Sequence, residues 1–143
     1  MATNTAGTAA RYSNQQVIHY LRADFNVAEA DVSGGTTKTV GILPAGAVML
    51  RPISGFVVHV PFDDTTVVDI GTSSTGDLYA TNLVTTATGL IPMDEAVTNK
   101  VYVDTTVVCN VAGNGNVTVG AGSCIIAYTL ANEGTNTWLG AQS

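Results

Sequence analysis

The chain has 143 residues, a formal net charge of −6 and 11% charged residues, less than half the usual share of a soluble domain. That length suits one domain, and a 45% hydrophobic content with so few charges excludes both a disordered chain and a coiled coil. Five basic residues and an isoelectric point near 4.4 argue against an independent nucleic-acid binder.

Residues 1–14 are small, polar and aperiodic, and read as an extended arm. They hold no apolar h-region of a secretory signal. The expectation is a protein made in a cytoplasm, with Cys109 and Cys124 reduced. Val17 to Asn26 alternates, with Val17, His19, Leu21 and Ala23 against Ile18, Tyr20, Arg22 and Asp24. A strand is expected there, with a short helix as the alternative. Ser33-Gly34-Gly35 breaks the chain, and Thr37 to Leu43 is a second strand closed by Pro44-Ala45-Gly46. The apolar run Gly41 to Leu50 contains Pro44 and stops at Arg51, far short of the roughly 20 residues a bilayer requires.

Ala47 to Val60 is the longest run, with Phe56, Val58 and Val60 on one face and Gly55, Val57 and His59 on the other. Pro52 removes a ladder donor, so a bulge or edge is expected near Arg51-Pro52. After a turn at Pro61 to Asp64, Thr66 to Gly71 is a short strand. Asp77 to Thr88 is the least strand-like stretch and reads as one helical turn or an irregular cover. Gly89 to Pro92 is a brief strand, and Lys100 to Val111 a long one, divided near Asp104. Asn114-Gly115 signals a type I′ hairpin, and Gly120-Ala121-Gly122 a second turn. Ser123 to Leu130 is the last strand, with Cys124, Ile126 and Tyr128 opposed to Ile125, Ala127 and Thr129.

Seven to nine short strands without a crossover helix predict an all-β, single-domain, jelly-roll-like β-sandwich. Its domain spans 15–131, between the N-terminal arm 1–14 and a C-terminal tail 132–143. An immunoglobulin-like sandwich is the second choice. Against it, the single Trp lies in the tail, and the spacing of Cys109 and Cys124 reads as too short for an inter-sheet pair.

No catalytic motif stands out. His19, His59, Cys109 and Cys124 fall inside predicted strands, without the spacing of a zinc site. The cysteines read as small buried hydrophobes that are neighbours in space. Asp63-Asp64 with Asp69 is a calcium candidate, against which stands the solvation of a turn. Asp94-Glu95 reads as a solvated loop rather than a catalytic pair. Residues 113–118 lack the lysine and following helix of a phosphate loop. No Gly-x-Ser-x-Gly elbow occurs, and the residue order supports no Ser/His/Asp grouping. Neither a cofactor nor a metal is expected. The mean hydropathy of +0.28, with Thr, Ser and Asn in place of charges, describes a surface that is easily desolvated. Part of it is expected to lie against another protein.

Leu43-Pro44-Ala45-Gly46-Ala47-Val48, Gly55-Phe56-Val57-Val58-His59-Val60, Val67-Val68-Asp69-Ile70-Gly71-Thr72 and Val119-Gly120-Ala121-Gly122 follow one another in a familiar order. Over residues 36–131 that order resembles the small β-sandwich decoration, or cement, proteins of tailed-bacteriophage heads. Met49-Leu50-Arg51-Pro52-Ile53 departs from the plain strand usual there, and the final turn lacks the usual basic residue. The resemblance implies a non-enzymatic role on the outer surface of the virion capsid. It implies the major capsid protein of the same virus as partner, and a homotrimer, with a homodimer as second choice. Direct contact with nucleic acid or membrane is not implied. Tyr12, Tyr20, Trp138 and Leu139, in or beside the arms, are the expected interface anchors. The competing readings are a carbohydrate-binding or host-attachment module of a fibre or tail, and a cupin-type enzyme. Few aromatics weigh against the first, and two lone histidines against the second.

Overall fold

The structure, a computed structural model, describes residues 17–130 apart from Ser33 and Asp64. Nine strands follow one another: β1 (His19–Asn26), β2 (Thr36–Leu43), β3 (Val48–Met49), β4 (Gly55–Val60), β5 (Val67–Thr72), β6 (Ala80–Val84), β7 (Gly89–Pro92), β8 (Thr105–Ala112) and β9 (Ala121–Thr129). One helical turn, α1 (Val27–Ala30), follows β1. Asn26 caps it, accepting from the Ala28 amide, while Glu29 accepts from the Asn26 amide, a reciprocal capping box.

One sheet has the order β1-β9-β4-β7, with β3 also on β9; the other has the order β2-β8-β5-β6. All pairings are antiparallel. The pairs β1·β9, β2·β8, β4·β7 and β5·β6 are the rungs of one long ribbon folded over on itself. That is a jelly roll, and it removes the immunoglobulin-like alternative.

The inward faces follow the two-residue period. Val107, Cys109 and Val111 of β8 are fully buried between outward Thr106, Val108 and Asn110, and Val68 and Ile70 of β5 do the same. Phe25, Phe56 and Phe62 run through the centre, with ring centroids 6.0 and 6.3 Å apart. Each such side chain contributes about 1.5–3 kcal/mol by leaving water. Val60 breaks the expected alternation and is exposed, because the register on β9 shifts between Val58 and Val60.

The break expected at Pro52 is a 3₁₀ turn, Arg51–Ile53, that divides one strand into β3 and β4. Ser54 repairs the gap. Its hydroxyl donates to the Leu50 carbonyl and accepts from the Ala127 amide, both at 2.8 Å.

Four expectations are corrected. Asp77 to Thr88 contains strand β6, whose polar sequence hides a pairing that β5 imposes. Ala121 and Gly122 open β9 rather than a turn. Asn114-Gly115 makes no hairpin: β8 and β9 lie in different sheets, and residues 113–120 arch between them. The same arch overturns the argument from cysteine spacing, since Cys109 on β8 and Cys124 on β9 come from opposite sheets. Both are free and fully buried, with adjacent thiols, and burial foremost pushes the Cys109 thiol well above its ordinary range.

Candidate interaction surface

The sandwich has two ends. At the arch end, residues 27–35, 61–66, 85–88 and 113–120 connect the strands. At the loop end lie 44–47, 73–79 and 93–104, and there the described chain also begins and finishes.

Carboxylates hold the arch. The Val117 amide donates to Asp31 Oδ1 at 2.7 Å, and the Thr118 and Val119 amides donate to Asp63 Oδ1 at 2.8 and 3.3 Å. The Thr118 hydroxyl donates to Asp63 Oδ2. That hydroxyl first, and the Thr118 amide second, hold the Asp63 carboxyl below the usual carboxylate range. Asp63 is therefore a clamp for backbone donors. Asp69 lies apart on β5, accepting the Asn82 amide at 2.7 Å, so the calcium candidate is not assembled from these two; Asp64 lies outside the described residues. Asp94 accepts the Thr81 amide, which gives it a loop-fixing role.

A Ser/His/Asp grouping does form on the outer face of the first sheet, unforeseen in the residue order. Ser123 Oγ lies 2.5 Å from Asp24 Oδ1 and 2.8 Å from His59 Nε2. Its wiring is not that of an activated nucleophile, in which the carboxylate orients the histidine and the histidine takes the serine proton. Here the single hydroxyl proton goes to Asp24, so His59 Nε2 must donate. Ser123 is also only 1% exposed. The bonds from Arg22 and then Ser123 lower the Asp24 carboxyl below its usual range.

His19 stacks on Tyr128 with centroids 5.5 Å apart. His59 stands on the outer face, and the cysteines lie in the core. Among the described residues no three His, Cys, Asp or Glu side chains gather to hold a metal.

What stands out instead is apolar surface at the loop end. Tyr102 is 72% exposed, Val103 69%, Tyr20 60% and Ile42 56%. The first two immediately precede Asp104, which accepts the Ala45 amide at 2.9 Å and fixes the loop. Lys100 lies 5.5 Å from the Tyr102 ring centroid. Beside them is a hollow of about 430 Å³ lined by Thr72, Thr75, Tyr79, Tyr102 and Thr106, among others. Of the anchors expected from sequence, Tyr20 stands on the outward face of β1, whereas Tyr12, Trp138 and Leu139 lie outside the described residues. Tyr102, Val103 and Ile42 were missed. The division of the run at Asp104 was the signal for the first two, since a strand beginning at Thr105 leaves Tyr102-Val103 in a loop; Ile42, on β2, had none.

No protein-family model matches the chain, and no curated protein sequence matches it. Among solved structures, the fold is similar to that of a chain in the cyanophage Pam1 capsid asymmetric unit. The TM-score is 0.55 at 20% identity, over 90% of this chain and 98% of that one. At that identity the likeness is one of fold.

Proposed function

We propose that this chain is a non-enzymatic structural protein of a tailed-phage virion, decorating the outer surface of the capsid and cementing it by bridging neighbouring shell subunits. The observation that carries the reading is a jelly roll similar, over nearly its whole length, to a chain of a phage capsid assembly. The loop end supports it. Tyr102, Val103 and Ile42 lose little by leaving water, and aromatic residues favour interface centres. A protein that binds only the mature shell stabilises that state by mass action, by about 2.7 kcal/mol at a hundredfold excess over Kd.

The test is addition of the purified protein to shells that lack it. Saturable binding, at a copy number near that of the shell subunit, and a higher disruption temperature are expected. Failure to bind removes the reading. Deleting residues 1–14 leaves the sandwich folded and weakens binding; equal binding by the shortened chain takes the arm out of the mechanism.

A second reading, a carbohydrate-binding or host-attachment module, draws on the hollow, where the Tyr102 ring stands beside several hydroxyls. Saturable glycan binding that Tyr102→Ala abolishes, without binding to shells, selects it over the first.

A further inference from the structure

Among the described residues each sheet has two edge strands, and three of these four edges are closed by recognisable devices. β7 has four residues and ends on Pro92. β6 is kinked at Asn82, which takes φ +54°, and its register on β5 shifts. β2 is bulged between Thr39 and Gly41 and carries Lys38, whose ammonium lies over the Phe25 ring. β1 differs. All eight of its residues pair with β9 without a shift, and it contains neither Pro nor Gly.

Two side-chain bonds reveal which β1 peptide groups face outward. The Asn26 amide donates to Glu29 Oε1 at 2.8 Å, and the Asp24 carbonyl accepts from Lys38 Nζ at 2.6 Å. Antiparallel alternation then places the peptide groups of even-numbered residues on the free edge and those of odd-numbered residues toward β9. Lys38 and Glu29, themselves an ion pair, close the half of the edge at Asp24 and Asn26. The half at Tyr20 and Arg22 is open: among the described residues, no further hydrogen bond reaches their outward N–H and C=O groups. Val17, Ile18 and Tyr20 are exposed along it.

We infer that this open half of β1 pairs with a second copy of the chain, antiparallel, about a two-fold axis at Tyr20. In that register Ile18 of each copy stands opposite Arg22 of the other. The outward peptide groups of 18, 20 and 22 then meet their counterparts, and one continuous sheet runs through both molecules. An isologous contact uses the same edge twice, so a single open edge suffices. Charge selects the register. Tyr20 meets Tyr20 and Arg22 meets Ile18, so no like charges are opposed. A register centred on Arg22 would oppose two guanidinium groups and run into the Lys38–Glu29 cap. The inference stands on strand geometry, independently of the capsid reading, and it favours the dimer over the trimer.

The test uses full-length Tyr20→Cys. A hydrogen-bonded antiparallel pair sets Cα atoms about 5.5 Å apart, within disulfide range. The two introduced thiols, one from each copy, and one oxidised glutathione give one intermolecular disulfide and two reduced glutathiones; Cys109 and Cys124 are buried and leave the readout clean. Expected is a cross-linked dimer forming at least about tenfold faster than from Val84→Cys, on the closed β6 edge. Sedimentation should give a dimer for the parent chain and a monomer for Ile18→Lys, with unchanged circular dichroism. Equal cross-linking rates, or a parent chain that sediments as a monomer or trimer, overturn the inference. Cross-linking of Tyr20→Cys to a shell subunit in place of its own copy also overturns it, and names an added shell strand as the occupant. Shell binding is measured separately, so either result leaves the capsid proposal to its own test.

Discussion

At the arch end, Asp31 and Asp63 together accept four hydrogen bonds from residues 113–120, and Val117 tucks into the core. At the loop end, Asp104 fixes a loop in a similar way, yet Tyr102 and Val103 beside it stand in water. Both ends are locally ordered. Both leave valines exposed, Val84 and Val119 at the arch end among them, but among the described residues only the loop end exposes aromatic side chains, Tyr20 and Tyr102, which gain most by being covered. Order together with exposed aromatic rings is what singles out the loop end as the surface proposed for contact, whereas the carboxylate clamps of the arch end serve the fold itself.

The contrast between the ends is most open to challenge at Gly120. It takes φ +151°, and a Cβ added there would lie 2.1 Å from Phe62 Cδ1. Gly120→Ala should cost about 3 kcal/mol, seen as a lower Tm, because the arch and the central ring cannot both keep their places. An unchanged Tm would mean that Phe62 repacks freely and that the arch end is not rigid.

Acid should act next, and on the same end. A carboxyl whose value is lowered by folding stabilises the fold above its unfolded value, near 3.8 for Asp63, and that contribution is lost as pH falls through the folded value. The amide resonances of Thr118 and Val119 should therefore shift below about pH 4. Asp63→Asn should abolish the transition. Thr118 and Val119 amides that stay in place through this range would show that Asp63 does not hold the arch.

The smallest effect on stability belongs to the loop end. Tyr102→Ser with Val103→Ser should change stability by no more than about 0.5 kcal/mol, while weakening shell binding by about tenfold or more. A collapse in Tm would show these side chains to be part of the packing, and would turn the search for the contact surface toward β1.

Much of the fold was legible because its signal is local. Val107-Val108-Cys109-Asn110-Val111 declares a strand and its inward face within five residues, and Pro52 declares a break by its missing donor. β6 was not legible. Ala80-Thr81-Asn82-Leu83-Val84 has no clean alternation, and Asn82 sits in a left-handed conformation that Asp69 stabilises from another strand. Asn114-Gly115 marks a change of direction without stating whether the chain returns to the same sheet. The site was legible in its chemistry, a neutral surface with Tyr20 among its exposed residues. Its location at Tyr102, Val103 and Ile42 was not, since exposure depends on which strands end where.

An all-β body short of charge follows from the residues alone, because a two-residue period and a residue composition are properties of each segment taken singly. That β8 and β9 belong to opposite sheets, so that Cys109 meets Cys124 across the core and not along one sheet, follows only from the assembled fold. So does the clamp that Asp63 places on an arch, and the half of the β1 edge that stays open. Each of these is a register between segments distant along the chain, and no single segment carries the hydrogen-bond partners that select it.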